Sequence, residues 1–303
     1  MKKITYLMLA FVLALFTQCS PNNGNNDEES KMLPVKFTVP IDGGKSDFTD
    51  FLTNPFTQNA IINWNSTGVE TVYLAVPDVI IHSAEYGTDF INKCAQLVPL
   101  TAICDGSSEL VFTGSIDSRI IHDGYAYTLY YFGNNGGEDI YREETSKIVG
   151  KTMSFDGQDG TRENLGNYHV ACINVAVNAE YNNDNIAQSY NITSPYPKLS
   201  SMMSVALLDL DGESYLNGTA AIKSMSIMFD EESNEYKHSY STETGLELNN
   251  TSSSAFIALC PSSQGSVLEC SKGCHTFEKG IKANTVHYNY NTVTHKIEAL
   301  DWE

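Results

Sequence analysis

The chain has 303 residues, with 18 Lys plus Arg against 37 Asp plus Glu and a formal charge of -19. That excess of negative charge disfavours nucleic-acid backbones and anionic lipid surfaces as partners. A hydrophobic content of 42%, with 17 Tyr and 13 Phe, excludes disorder over most of the length and leans toward strands, where aromatic side chains pack across a pleated face.

In chain order, residues 1–18 are laid out as a signal peptide. Met1-Lys2-Lys3 is basic, and Ile4 to Phe16 is mostly apolar and shorter than the roughly 20 residues a membrane-crossing helix needs. Cys19 closes this run, and Ser20-Pro21-Asn22-Asn23-Gly24-Asn25-Asn26-Asp27-Glu28-Glu29-Ser30 follows as polar chain. The layout resembles a bacterial lipoprotein signal, which implies lipidation at Cys19, with residues 19–32 as a flexible tether. The protein is therefore expected to be exported, with the lipid anchor as its only contact with a membrane.

Beyond the tether, apolar and polar residues alternate over five to eight positions between clusters of Gly, Asn, Asp and Ser, the pattern of half-buried strands. Strands are expected near Val35–Val39, Ala60–Trp64, Thr71–Val76, Val79–His82, Glu109–Ser115, Tyr125–Phe132 and Lys147–Phe155. A second set is expected near Tyr168–Val177, Ser204–Asp209, Ser224–Phe229, Ser254–Leu259, Val267–Glu269, Val286–Asn291 and Lys296–Trp302. Short helices are expected at Phe48–Leu52 and Tyr86–Cys94, and Gly133-Asn134-Asn135-Gly136-Gly137 reads as a hairpin turn. Two runs of about seven strands predict an all-β protein of two antiparallel β-sandwich domains in series, 33–163 and 164–303. The boundary is placed in the Gly- and Asp-rich stretch Asp156–Asn164.

Several segments taken together resemble the fimbrillin-like surface lipoproteins of Bacteroidetes, the type V pilus family. They are the leader with Cys19, Ala60-Ile61-Ile62-Asn63-Trp64, Glu109-Leu110-Val111-Phe112-Thr113-Gly114-Ser115, Tyr125-Ala126-Tyr127-Thr128-Leu129-Tyr130-Tyr131-Phe132, Met153 to Thr161, His169-Val170-Ala171-Cys172, and the closing Val293 to Trp302. The resemblance implies transthyretin-like sandwiches and an outer-membrane or cell-surface pilus component or adhesin. It also implies partners in other pilus subunits, joined by strand addition after an N-terminal segment is cut away, or in a host surface protein or glycan. Such cuts commonly follow Arg. Here the arginines are Arg119, Arg142 and Arg162, and the early basic residues Lys31, Lys36 and Lys45 stand as the maturation sites.

An exported chain permits disulfides among Cys94, Cys104, Cys172, Cys260, Cys270 and Cys274. Cys94 with Cys104 closes a short loop, Cys260 has Cys270 or Cys274 within reach along the chain, and Cys172 reads as a buried strand thiol. Cys260 and Cys270-Ser271-Lys272-Gly273-Cys274-His275 lack the spacing of a zinc knuckle, and Asp209-Leu210-Asp211-Gly212-Glu213 lacks the remaining ligands of a calcium loop. No metal or cofactor is expected. His82, His122, His169, His238, His275, His287 and His295 are scattered with no nucleophile motif nearby, so no catalytic role is expected. Tyr125, Tyr127, Tyr130, Tyr131, Tyr288 and Tyr290 could serve as stacking platforms for sugars, but alternate strand positions point inward and make half of them core, which is the favoured reading.

Overall fold

The computed structural model describes residues 31–40, 64, 68–83, 88–161, 163–196, 198–249, 253–294 and 296–303. Leu33, Val35, Phe37 and Val39 alternate with exposed positions, and period two gathers them on one face of the strand β1 (Met32–Pro40). The strands that follow are β2 (Gly68–Val76), β3 (Val79–Ser83), β4 (Thr88–Asn92), β5 (Gln96–Cys104), β6 (Glu109–Asp117), β7 (Ala126–Phe132), β8 (Glu138–Arg142) and β9 (Lys147–Ser154). After a 3-10 turn at Asn164–Asn167 come β10 (Val170–Tyr181), β11 (Ala187–Thr193), β12 (Ser200–Ser201), β13 (Ser204–Asp209), β14 (Tyr215–Leu216), β15 (Ser224–Asp230) and β16 (Glu235–Tyr240). The chain closes with β17 (Leu246–Glu247), β18 (Ser254–Leu259), β19 (Ser266–Cys270), β20 (Gly273–Phe277), β21 (Val286–His287), β22 (Asn289–Asn291) and β23 (Lys296–Glu298). The described chain is all-β, and none of its helices is long and apolar enough to cross a membrane.

The largest sheet runs β11-β1-β6-β5-β2-β7-β10-β12, and β11 also pairs with β10. Seven of these strands therefore close into a barrel-like ring, with β12 attached outside it. A ring whose neighbours all run antiparallel needs an even number of strands, so a ring of seven must contain a parallel pair. That pair is β1 with β11, aligned at Val35↔Tyr190, Lys36↔Asn191 and Phe37↔Ile192. On its other edge β1 pairs antiparallel with β6 along all nine residues, from Met32↔Asp117 to Pro40↔Glu109. Pro34 and Pro40 lie outside the three positions aligned with β11, where a missing N–H costs no bond to that strand.

One wall of the ring serves two cores. Along β7, Tyr127, Leu129 and Tyr131 face the ring interior, while Tyr130 and Phe132 face a second core. Along β10, Ala171, Ile173, Val175 and Val177 point inward and Val170 points to the second core. The second core is roofed by the three-stranded sheet β18-β13-β21 and the four-stranded sheet β16-β15-β9-β8. A buried ion pair ties the four-stranded sheet to the wall. Arg142 at the end of β8 donates to both oxygens of Asp78 at 2.9 and 3.0 Å, and to Glu231 at 2.8 Å. The Ala95 amide also donates to Asp78 at 2.7 Å, so the buried carboxylate is well satisfied.

These pairings correct three expectations. The sheets do not separate into domains at 163/164: β8 and β9 lie before that point but pair into the sheet of β15 and β16, and β10 and β11 lie after it but complete the ring. Pairing among the described strands crosses that point in both directions, and residues 31–303 cluster as one unit. The supposed boundary stretch is itself anchored, because Gln158 is buried, donates to the Phe155 and Ala258 carbonyls at 2.9 and 3.0 Å, and accepts from the Ala258 amide at 2.7 Å. Residues 133–137 do not form a hairpin either. They carry the chain from the ring (β7) into another sheet (β8), and Gly133, at φ 64°, has no room for a Cβ, which would lie 2.1 Å from the Asn167 carbonyl oxygen. Finally, Thr88–Asn92 is a strand paired with Val79–Ser83 where a helix was expected, since so short a helix is marginal without packing. The expected helix at Phe48–Leu52 lies outside the described residues, as does the expected strand at Ala60–Trp64 apart from Trp64.

Candidate functional site: the first strand and the groove it fills

The four inward side chains of β1 are nearly inaccessible: Leu33 2%, Val35 1%, Phe37 2% and Val39 6% exposed. Burying them is worth roughly 6–12 kcal/mol in total. Beneath them runs an aromatic series. The rings of Phe37 and Phe112 are 6.0 Å apart, Phe112 and Trp64 5.5 Å, and Trp64 and Tyr131 6.1 Å. Tyr131 donates to Asn134 at 2.6 Å, and burial, with Glu70 beside it, holds its phenol well above the ordinary tyrosine range. The space under β1 is therefore lined mainly by apolar and aromatic side chains.

The lysines expected as cleavage sites fall at unequal positions. Lys31 is exposed just before β1; its carbonyl accepts from the Ser118 amide at 3.0 Å and its ammonium reaches the Ala187 carbonyl at 3.5 Å. Lys36 is exposed on the outer face of β1, but its backbone is aligned with Thr113 on one side and Asn191 on the other. A protease must lift an extended segment into its cleft, so this doubly paired site is protected. Cys19 and Lys45 lie outside the described residues. A cut after Lys31 would free the tether and leave β1 joined to the ring, whereas a cut after Lys45 would sever β1 from the rest.

The structure does not bring the expected cysteine pairs together; Cys94, Cys172, Cys260, Cys270 and Cys274 are free thiols. Cys94 precedes β5 and Cys104 ends it. A nine-residue strand rising ~3.3 Å per residue holds them more than about 20 Å apart, against the roughly 7 Å limit for a disulfide. Cys270 is opposite Gly273 and Cys274 is opposite Glu269, so pleating points the two thiols to opposite faces of the hairpin. Cys260 is buried beyond β18, and burial raises its pKa and that of half-buried Cys172. Burial also pushes the Cys94 thiol up to about 11, which makes it a poor nucleophile. Among the described residues no three His, Cys, Asp or Glu side chains gather as a metal site. Asp209 instead accepts from Lys272 at 2.9 Å, and Glu213 accepts from Ser271.

No family model matches this chain. No curated protein matches it either. Two solved structures are similar over most of its length. One is described as a candidate cell adhesion protein from Bacteroides ovatus, 12% identical, covering 91% of this chain and 99% of its own, with a TM-score of 0.36. The other is a fimbrial assembly protein from Parabacteroides distasonis, 9% identical, covering 90% of this chain and 100% of its own, with a TM-score of 0.33.

Sequence alternation located β1 and its buried face. It missed β11, the strand that grips the other edge of β1, because Ala187 to Thr193 is mostly polar and only Tyr190 and Ile192 are buried. Trp64 was taken as a strand end, and its place in the groove depends on rings contributed by β6 and β7.

Proposed function

We propose that this is a cell-surface protein of the fimbrial or adhesin kind, exported, anchored through lipidated Cys19, and built to exchange β1 for a strand from another subunit. The observation that carries this reading is the position of β1. It is the first described strand, it fills an apolar groove with four alternate side chains, and it contributes the parallel pair that the odd-numbered ring requires. Strand addition works with such a groove: main-chain hydrogen bonds supply affinity, and alternate pockets select the side chains. An incoming strand needs apolar residues at four alternate positions, the second and third matching the spaces filled by Val35 and Phe37. The role is one of binding and assembly, without catalysis.

The test is uptake of a labelled peptide with the sequence of residues 32–40 by the full mature chain, before and after Lys-specific cleavage, with the cut sites read by intact mass. Uptake only after a cut beyond Pro40 supports strand exchange. Equal uptake before and after such a cut, or none at all, sinks it. A non-polymerising surface binding module is the second reading, favoured by the absence of Arg before Arg119 and by the pairing that shields Lys36 on both sides.

A further inference from the structure

A depression of about 440 Å³ opens on the surface of the second core, away from the residues that line the β1 groove. Its apolar side is Tyr240 and Ile222, both half-buried and packed on that core. Its polar side is made of Thr219, Ser262, Ser263 and Ser266. The Ser262 loop is drawn in over Gly280, at φ 73°, where a Cβ would lie 2.6 Å from the Ser262 carbonyl oxygen. Backbone bonds between Ser262 and Ile281, at 2.9 and 3.1 Å, then hold the loop in place.

The hydroxyls offer mixed hydrogen bonding. Thr219 accepts from the Val267 amide at 2.9 Å, so its own O–H remains to donate. Ser266 donates to the Ser263 carbonyl at 2.7 Å, so its lone pairs remain to accept. Ser262 Oγ is buried without a hydrogen-bond partner, a condition that favours its side chain turning outward to meet a ligand at the surface. None of the lining residues carries a charge, in a chain whose net charge is -19. A carboxylate, sulfate or phosphate would find no cation here, and a metal ion would find no carboxylate.

From the aromatic side, the donor and acceptor hydroxyls and the missing charge, we infer that this depression binds a pyranose ring of a neutral saccharide. The sugar's C–H face lies against Tyr240, and its hydroxyls both donate to and accept from the serine and threonine side. A volume near the lower end for small-ligand sites suits one or two sugar rings. This site does not depend on strand exchange at β1, so either reading can fail alone.

The experiment is saturation-transfer NMR on the full chain with methyl β-galactoside, methyl α-mannoside and methyl β-glucoside, and with N-acetylneuraminic acid as the anionic control. At least one neutral glycoside is expected to receive transfer and the anionic sugar none. Tyr240→Ala is expected to abolish the signal. Ser262→Ala is expected to weaken binding about three- to tenfold, the range for one lost hydrogen bond, while melting no lower than the parent, because the removed hydroxyl bonds nothing. Absence of transfer to every neutral glycoside, equal transfer to the anionic sugar, or unchanged binding in Ser262→Ala would overturn the assignment.

Discussion

β1 and β13 both run through a core between two neighbours, yet they are held differently. β1 buries one face, keeps the other in solvent, and is the first strand of the described chain. Five of the six residues of β13 are buried, on both faces, between β18 and β21, and chain continues into other strands on either side. Withdrawing β13 would strip partners from both of its faces. Withdrawing β1 would open one groove and leave β6 and β11 each still paired to another strand of the ring. An exchangeable strand must bury one face and leave the other free, and of these two only β1 does.

The largest expected effect comes from starting the chain at residue 41. Losing four buried side chains removes roughly 6–12 kcal/mol from the ring. Hydrogen exchange should then show the amides of β6 and β11 that faced β1 unprotected and those of β13 and β18 retained, with protection of β6 restored by adding the peptide of residues 32–40. Loss of protection across both cores would mean that the shared wall makes them one cooperative unit, and the contrast between β1 and β13 would fail.

Next in size is Arg142→Ala, which strands the buried Asp78 carboxylate and should cost about 3–5 kcal/mol in urea unfolding. If the tie between wall and four-stranded sheet is local, β1 peptide uptake after cleavage stays unchanged.

Alkaline titration compares the two faces of β7. Burial pushes Tyr130 up to about 12, above the ordinary tyrosine value near 10. The unfolded chain then loses a proton that the folded chain keeps, so stability is complete below pH 10 and falls between pH 10 and 12 by up to ~1.4 kcal/mol per pH unit. Tyr130→Phe should flatten that slope by about one proton in equilibrium unfolding measured across this range, leaving the part due to Tyr131 and Tyr127 on the ring side and to the other buried tyrosines.

The smallest effect is expected from Lys36→Ala, an exposed position on β1, which should shift stability by less than about 0.5 kcal/mol. A larger loss in thermal melts would show that the outer face of β1 also helps hold it.

Much of this was legible where a strand buries one face, as in β1 and the first half of β6, whose buried apolar residues alternate with exposed ones. It was not legible in β5, where Pro99 interrupts the run. The proline is tolerated because its side faces out and β5 aligns with β6 only at Thr101↔Thr113. β16 has no fully buried residue and exists through its pairing with β15, so no local pattern marks it. The disulfide expectation failed for the same reason: spacing along a chain gives no distance until it is known that the residues between are fully extended. The saccharide depression depends on loops that meet only in three dimensions, and its serines look like ordinary turn residues in the sequence.

The odd number of strands in the ring also bears on the direction in which a donor could enter. A donor running the same way as β1 would lie parallel to β11 and antiparallel to β6; a reversed donor would simply exchange those two relations, and the ring would again contain a single parallel pair. Closure therefore does not dictate donor polarity. Edge length does, because the β6 side offers nine aligned residues and the β11 side three, and antiparallel pairing is the stronger per residue. A subunit entering head-first in the sense of β1 keeps the long edge antiparallel, and a chain of such subunits would carry one direction along its length.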